Sequence, residues 1–120
     1  MPLELEGLRT VIYPTTNLAA SRDWWVTALG QDPYFDEPFY VGFNIGGYEL
    51  GLLPDADSAE GAQVYWGVAD VATAIEVATA AGGSVHTPAT NVGDGIVTAV
   101  VRTPDGGLLG LIRNPNFRIN

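Results

Sequence analysis

The chain has 120 residues, 47% of them hydrophobic, with no cysteine, one histidine and a formal net charge of −9. That length suits one compact domain, or two small modules folding together, and the apolar fraction is enough for a core. The missing cysteines exclude disulfides, thiolate catalysis, zinc fingers and iron–sulfur ligation by this chain, and the single His86 excludes a two-histidine iron site unless a partner subunit lends the second ligand.

In chain order, Leu8 to Tyr13 reads as a short apolar, β-branched strand that Pro14 breaks. Asn17 suits a helix N-cap, and Leu18, Arg22, Trp25, Val26 and Leu29 then share one helical face. Gly30 is placed to end that helix. Tyr40–Ile45 and Tyr48–Leu53 read as strands joined by a two-residue turn at Gly46-Gly47. Pro54 closes the run.

From Gln63 the pattern returns. Gln63–Val68 reads as a strand and Asp70 as an N-cap. Val71, Ala74, Ile75 and Ala78 form a helical stripe. Gly82-Gly83 stops the helix. Strands follow at Ser84–His86, Gly95–Arg102 and Gly107–Arg113, with Pro104-Asp105-Gly106 turning before the last. Asn17 and Gly30 match Asp70 and Gly83 at one spacing, while Leu50 and Pro54 match Leu111 and Pro115 at another. A duplication of about 50 residues per module is the simplest account. The expected organisation is a single domain over 1–120: module one at about 6–54, a linker at 55–62, and module two at about 63–115.

Alternation along the strands separates two faces. Val11 and Tyr13 oppose Thr10 and Ile12, and Val64, Trp66 and Val68 oppose Gln63, Tyr65 and Gly67. Leu50 and Leu52 oppose Glu49, Gly51 and Leu53, and Leu109 and Leu111 oppose Leu108, Gly110 and Ile112. One face of each sheet packs on its helix. The other mixes polar groups, an aromatic and glycines, as a ligand-binding concavity does.

The opening segment Thr10-Val11-Ile12-Tyr13-Pro14-Thr15-Thr16-Asn17-Leu18, with Ser21 and Trp24-Trp25 beyond it, resembles the first βα unit of the vicinal oxygen chelate superfamily, which includes glyoxalase I, extradiol dioxygenases and bleomycin resistance proteins. Val64-Tyr65-Trp66-Gly67-Val68-Ala69-Asp70-Val71 is similar to the same unit repeated. Thr103-Pro104-Asp105-Gly106-Gly107-Leu108-Leu109-Gly110-Leu111 resembles that family's turn and final strand. The resemblance spans Leu8 to about Pro115. It implies an α+β fold of two tandem βαβββ modules whose curled mixed sheets enclose a central cavity, usually in a homodimer. It also implies metal-ligand positions, which fall here on Thr10, Glu49, Gln63 and Gly110. In this sequence those positions offer one hydroxyl, one carboxylate, one amide and no side chain. A divalent transition metal needs three or four converging ligands, so the expectation is no cofactor, with a weakly held, hydrated Mg²⁺ on Glu49 and Gln63 as the alternative.

Among the candidate binding residues, Glu49 can accept a hydrogen bond, pair with a cation or act as a catalytic base. Gln63 can donate to and accept from a ligand amide, or tie the modules together. Tyr65 can stack on a flat ligand or pack in the core. Trp66 is expected in the core, and Trp24 and Trp25 point apart, so that one is core and the other lies at a module edge or cavity wall. The segment Pro33–Tyr40 sets Tyr34, Phe35, Phe39 and Tyr40 among Asp32, Asp36 and Glu37, a composition that suits a planar cation or an edge strand against a partner. His86 is a base, a pH-sensitive contact or a surface residue. Arg102 holds an anionic substrate group or a strand-end salt bridge.

The five basic residues, Arg9, Arg22, Arg102, Arg113 and Arg118, are scattered, so nucleic-acid binding is not expected. No apolar run reaches membrane-spanning length, and the start lacks a basic signal-peptide region. A cytoplasmic location is the expectation. Three functions compete: a metal-free bleomycin-resistance-type binder that sequesters a cationic or aromatic compound, a glyoxalase I-like metal-dependent lyase or isomerase, and a non-catalytic dimeric module recognising a metabolite or partner.

Overall fold

The structure, a computed structural model, describes residues 2–54 and 61–118, so most of the expected linker lies outside the described residues. The elements run β1 (Gly7–Thr15), α1 (Leu18–Leu29), β2 (Phe35–Glu37), β3 (Tyr40–Ile45), β4 (Tyr48–Pro54), β5 (Gln63–Gly67), α2 (Val71–Ala80), β6 (Ser84–Gly93), β7 (Ile96–Arg102) and β8 (Leu108–Arg113). This is the expected α+β fold, with the βαβββ order occurring twice. The chain forms two compact units. One contains the described residues of Thr10–Gln63. The other joins the residues up to Arg9 with Val64–Phe117. β1 therefore contributes to both.

In the Thr10–Gln63 unit the strand order is β2-β3-β4-β1. β1 runs parallel to β4, and the other pairs are antiparallel. Gly46 and Gly47, with φ of 61° and 96°, make the tight β3–β4 turn that needs two left-handed residues. Asn17 Oδ1 accepts from the Ala20 amide at 3.1 Å, and Gly30, left-handed at φ 67°, donates to the Val26 carbonyl at 2.9 Å. Both expected helix ends are thus observed. Val41, Phe43 and Leu52 form the buried core, packed by Leu18, Trp25, Val26 and Leu50. Full burial of a side chain such as Phe43 or Leu52 contributes about 1.5–3 kcal/mol. Trp25 is the inward tryptophan, in contact with Tyr13, whereas Trp24 is 62% exposed. The strand β1 outlasts its expected end because Pro14 sits near the terminus, where one missing donor costs little.

The second unit repeats the order as β5-β8-β7-β6, with β5 parallel to β8. Its core is Val68, Val71, Ala74, Ala78, Ala99, Val101 and Leu111, joined by Leu3 from the N-terminal segment. Asp70 caps α2 by accepting from the Ala72 amide and the Thr73 hydroxyl. The expected helical stripe is the buried face, with Val71, Ala74 and Ala78 inside. The strand β6 runs to Gly93 instead of ending at His86. Its pairing with β7 shifts register between Thr87 and Thr90, so Pro88 is passed over and no ladder donor is asked of it. Trp66 is half-buried. Among the described residues, no helix is long and apolar enough to cross a membrane.

Candidate functional site

Since Val41, Phe43 and Leu52 face α1, the alternate residues of the same strands face the other way. These are Tyr40 and Gly42 on β3, Glu49 and Gly51 on β4, and Thr10 and Ile12 on β1. Backbone pairing sets them side by side. Thr10 lies opposite Glu49, and Gly42 lies opposite Gly51.

Glu49 is the centre of this face. Its Oε1 accepts from the Tyr40 hydroxyl at 2.7 Å and from the Thr10 hydroxyl at 3.3 Å. Its Oε2 accepts from the Tyr34 hydroxyl. Thr10 is only 4% exposed. Tyr34 is positioned by backbone, its amide donating to the Gly42 carbonyl at 3.0 Å. The two glycines make room for the phenols. A Cβ on Gly51 would lie 1.8 Å from the Tyr40 hydroxyl oxygen, and one on Gly42 would lie 2.9 Å from Glu49 Oε2 and 3.1 Å from the Tyr34 ring. Partial burial, followed by the hydrogen bond to Glu49 and the charge of its carboxylate, pushes the Tyr34 phenol well above its ordinary value.

A carboxylate has about four acceptor directions, and three hydroxyls take three of them at Glu49. Little remains with which to take a proton or close a metal's coordination shell. The cluster instead presents a fixed negative charge ringed by phenols.

The metal positions implied by the family resemblance can be judged from the same geometry. Glu49 is committed to its three donors, Thr10 offers a hydroxyl, and Gln63 stands half-buried at the start of β5. Gly110 has no side chain, and the space a side chain there would take is filled. A Cβ would lie 2.3 Å from the Val64 carbonyl oxygen and 2.7 Å from the Tyr65 ring. Among the described residues no three His, Cys, Asp or Glu side chains are grouped to hold an ion. These residues do not fit a three- or four-ligand transition-metal centre.

Thr10, Glu49 and Tyr40 are therefore brought together. Tyr65 lies in the other unit, its ring over Gly110, with its hydroxyl raised in pKa by burial. His86 is exposed on β6, with Nδ1 3.0 Å from its neighbour Thr87 Oγ1. Arg102 donates to the Gly106 carbonyl at 2.9 Å and so braces the turn before β8. The aromatic–acidic segment forms the short edge strand β2, where Phe35 contacts Phe39 and Tyr40, and Arg22 of α1 pairs with Asp36 at 3.4 Å. Sequence reasoning left out Tyr34 as an individual site residue, and it left out Gly42 and Gly51. The signal was present as Tyr40-x-Gly42 and Glu49-x-Gly51, each setting a glycine on the same face as a polar residue.

The sequence matches the Glyoxalase/Bleomycin resistance protein/Dioxygenase superfamily over residues 7–111. No curated protein matches it. Among solved structures, it is similar to methylmalonyl-CoA epimerase of Streptomyces coelicolor in complex with 2-nitronate-propionyl-CoA, with a TM-score of 0.76 and 16% identity over 93% of this chain and 99% of that one. It is similar to a superfamily member from Vibrio splendidus 12B01, with a TM-score of 0.67 and 20% identity over 89% and 99%. A structure described as NAD-dependent benzaldehyde dehydrogenase from Legionella pneumophila gives a TM-score of 0.69 and 22% identity over 87% and 96%. At these identities the structures speak for the fold alone, whereas the family match covers most of the chain. The chain belongs to the Glyoxalase/Bleomycin resistance protein/Dioxygenase superfamily.

Proposed function

We propose that this chain is a metal-free small-molecule binding protein of the bleomycin-resistance type, taking a cationic or aromatic compound at the Thr10–Tyr34–Tyr40–Glu49 face. The observation that carries this reading is the Glu49 carboxylate, held by three hydroxyls on a sheet face cleared by two glycines. A preorganised charge beside phenol rings attracts a flat cation through ion pairing and cation–π contact. The net charge of −9 favours the approach of such a ligand. The setting of this reading is a homodimer in the cytoplasm.

Calorimetry with a bleomycin-class glycopeptide and with a planar aromatic cation tests it. Saturable heat is expected, weakening as salt rises. Glu49→Gln should weaken binding about tenfold or more. No heat from either compound, or affinity indifferent to salt and to Glu49→Gln, would sink the proposal. Stoichiometric Ni²⁺, Zn²⁺ or Mn²⁺ in protein purified without chelator, with isomerase activity on methylglyoxal–thiol adducts, would move the assignment to the lyase class. Binding that survives loss of Glu49 would favour recognition through another surface.

A further inference from the structure

The face of β5 that carries Tyr65 and Gly67 holds a cation. Tyr65 and Gly67 share a face of β5, and Gly110 of β8 pairs with Tyr65. The Arg9 guanidinium lies where the Gly67 side chain would be, since a Cβ there would fall 2.5 Å from Nε and 2.6 Å from Cζ. Arg9 is thus on the same face as Tyr65. Its side chain is only 15% exposed and its Cζ lies 4.0 Å from the centre of the Phe117 ring.

The guanidinium is held in place more than it is neutralised. Among the described residues its carboxylate partner is Glu6, half-exposed and 3.6 Å away, beyond good hydrogen-bond length. One guanidinium nitrogen donates to the Leu8 carbonyl at 3.3 Å. A planar fork of five N–H donors matches two carboxylate oxygens side by side. A mostly buried arginine with a loose acidic partner is stabilised by an anion that can supply that geometry.

We propose that Arg9, backed by Phe117 and set over Gly67, is a recognition point for the carboxylate of a small organic molecule. A monoanion fits better than a phosphate dianion, because Arg9 carries a single positive charge and the protein carries net charge −9. This site is distinct from the Glu49 cluster and goes beyond the function proposed for it. A carboxylate displaces Glu6 from Arg9, so Glu6 is a built-in competitor.

Benzoate and its neutral isostere benzamide are the probes, with the arginine Nε–H signals followed by NMR and affinities by calorimetry. Benzoate should bind saturably and shift the Arg9 signal, and benzamide should bind about tenfold more weakly or worse. Arg9→Gln should abolish the preference. Glu6→Gln should tighten benzoate, and that variant removes only a half-exposed partner, so it decides the matter even where Arg9→Gln fails to fold. Equal affinity for the two probes, a silent Arg9 signal, or benzoate binding unchanged or weakened by Glu6→Gln would overturn the proposal. A planar cation titrated against Glu49→Gln reads the other face, so failure at either site is visible separately.

Discussion

Replacing Gly51 with alanine removes no atom from the Glu49 cluster, yet it should break one of its hydrogen bonds. The new methyl would sit 1.8 Å from the Tyr40 hydroxyl oxygen and 2.6 Å from Cζ. The ring end must swing away, and the 2.7 Å bond to Glu49 Oε1 is lost. A hydrogen bond to a charged, partly buried acceptor is worth about 1.5–3 kcal/mol, and partial exposure puts this one near the lower end. Alanine returns about 0.4–1 kcal/mol by restricting the unfolded chain. The net loss is about 0.5–1.5 kcal/mol, lowering Tm by roughly 2–6 °C. In a Tyr40→Ala background the obstruction is gone, and the same substitution should be neutral or stabilising. Urea denaturation of the wild type, both single variants and the double variant should therefore give a coupling of about 1–2 kcal/mol. Additive effects, with alanine at position 51 equally stabilising in both backgrounds, would refute the packing described here.

Gly110→Glu adds a carboxylate at the last-strand position but should bind no Zn²⁺ or Ni²⁺ by metal analysis. It should also cost about 2 kcal/mol or more in denaturation, because the Val64 carbonyl and the Tyr65 ring occupy the space. The raised Tyr34 phenol links stability to alkaline pH. The folded state holds this proton more tightly than the unfolded one, so the contribution is fully present below the free-tyrosine value of about 10 and is lost as pH rises through the folded value. Tyr34→Phe should flatten that alkaline decline in urea titrations, and parallel declines would show that another group is responsible. Asp70→Ala removes the α2 cap, which accepts from the Ala72 amide at 3.1 Å and the Thr73 hydroxyl at 2.8 Å, and should cost about 1 kcal/mol by thermal melting.

The helices were the most legible part of the sequence, because caps and apolar spacing are local signals. Asn17, Gly30 and Asp70 each act in the structure through neighbours within four residues. Strand faces were legible for the same reason, and they put Glu49 and Gly51 on one face of β4, while Thr10 joined Glu49 only through the family resemblance. What alternation could not reveal was reach across strands. That Tyr34 and Tyr40 converge on Glu49 depends on the β2–β3–β4 register, a long-range property with no local signature. Arg9 read as one of five scattered arginines, since nothing near it in the chain announces Gly67 or Phe117. The strand β6 was cut short at Pro88 because proline normally ends a strand, and the irregular pairing that accommodates it is set by β7.

Leu3 packs into the core of the Val64–Phe117 unit, and the Glu6 amide donates to the Gly67 carbonyl at 2.7 Å. During synthesis Leu3 and Glu6 emerge well before their partners in Val64–Phe117, so contacts closing over this sequence distance are expected to form late. Loss of the Leu3 side chain would then weaken the distant Val64–Phe117 unit, while the unit that follows it directly in sequence would keep its own core.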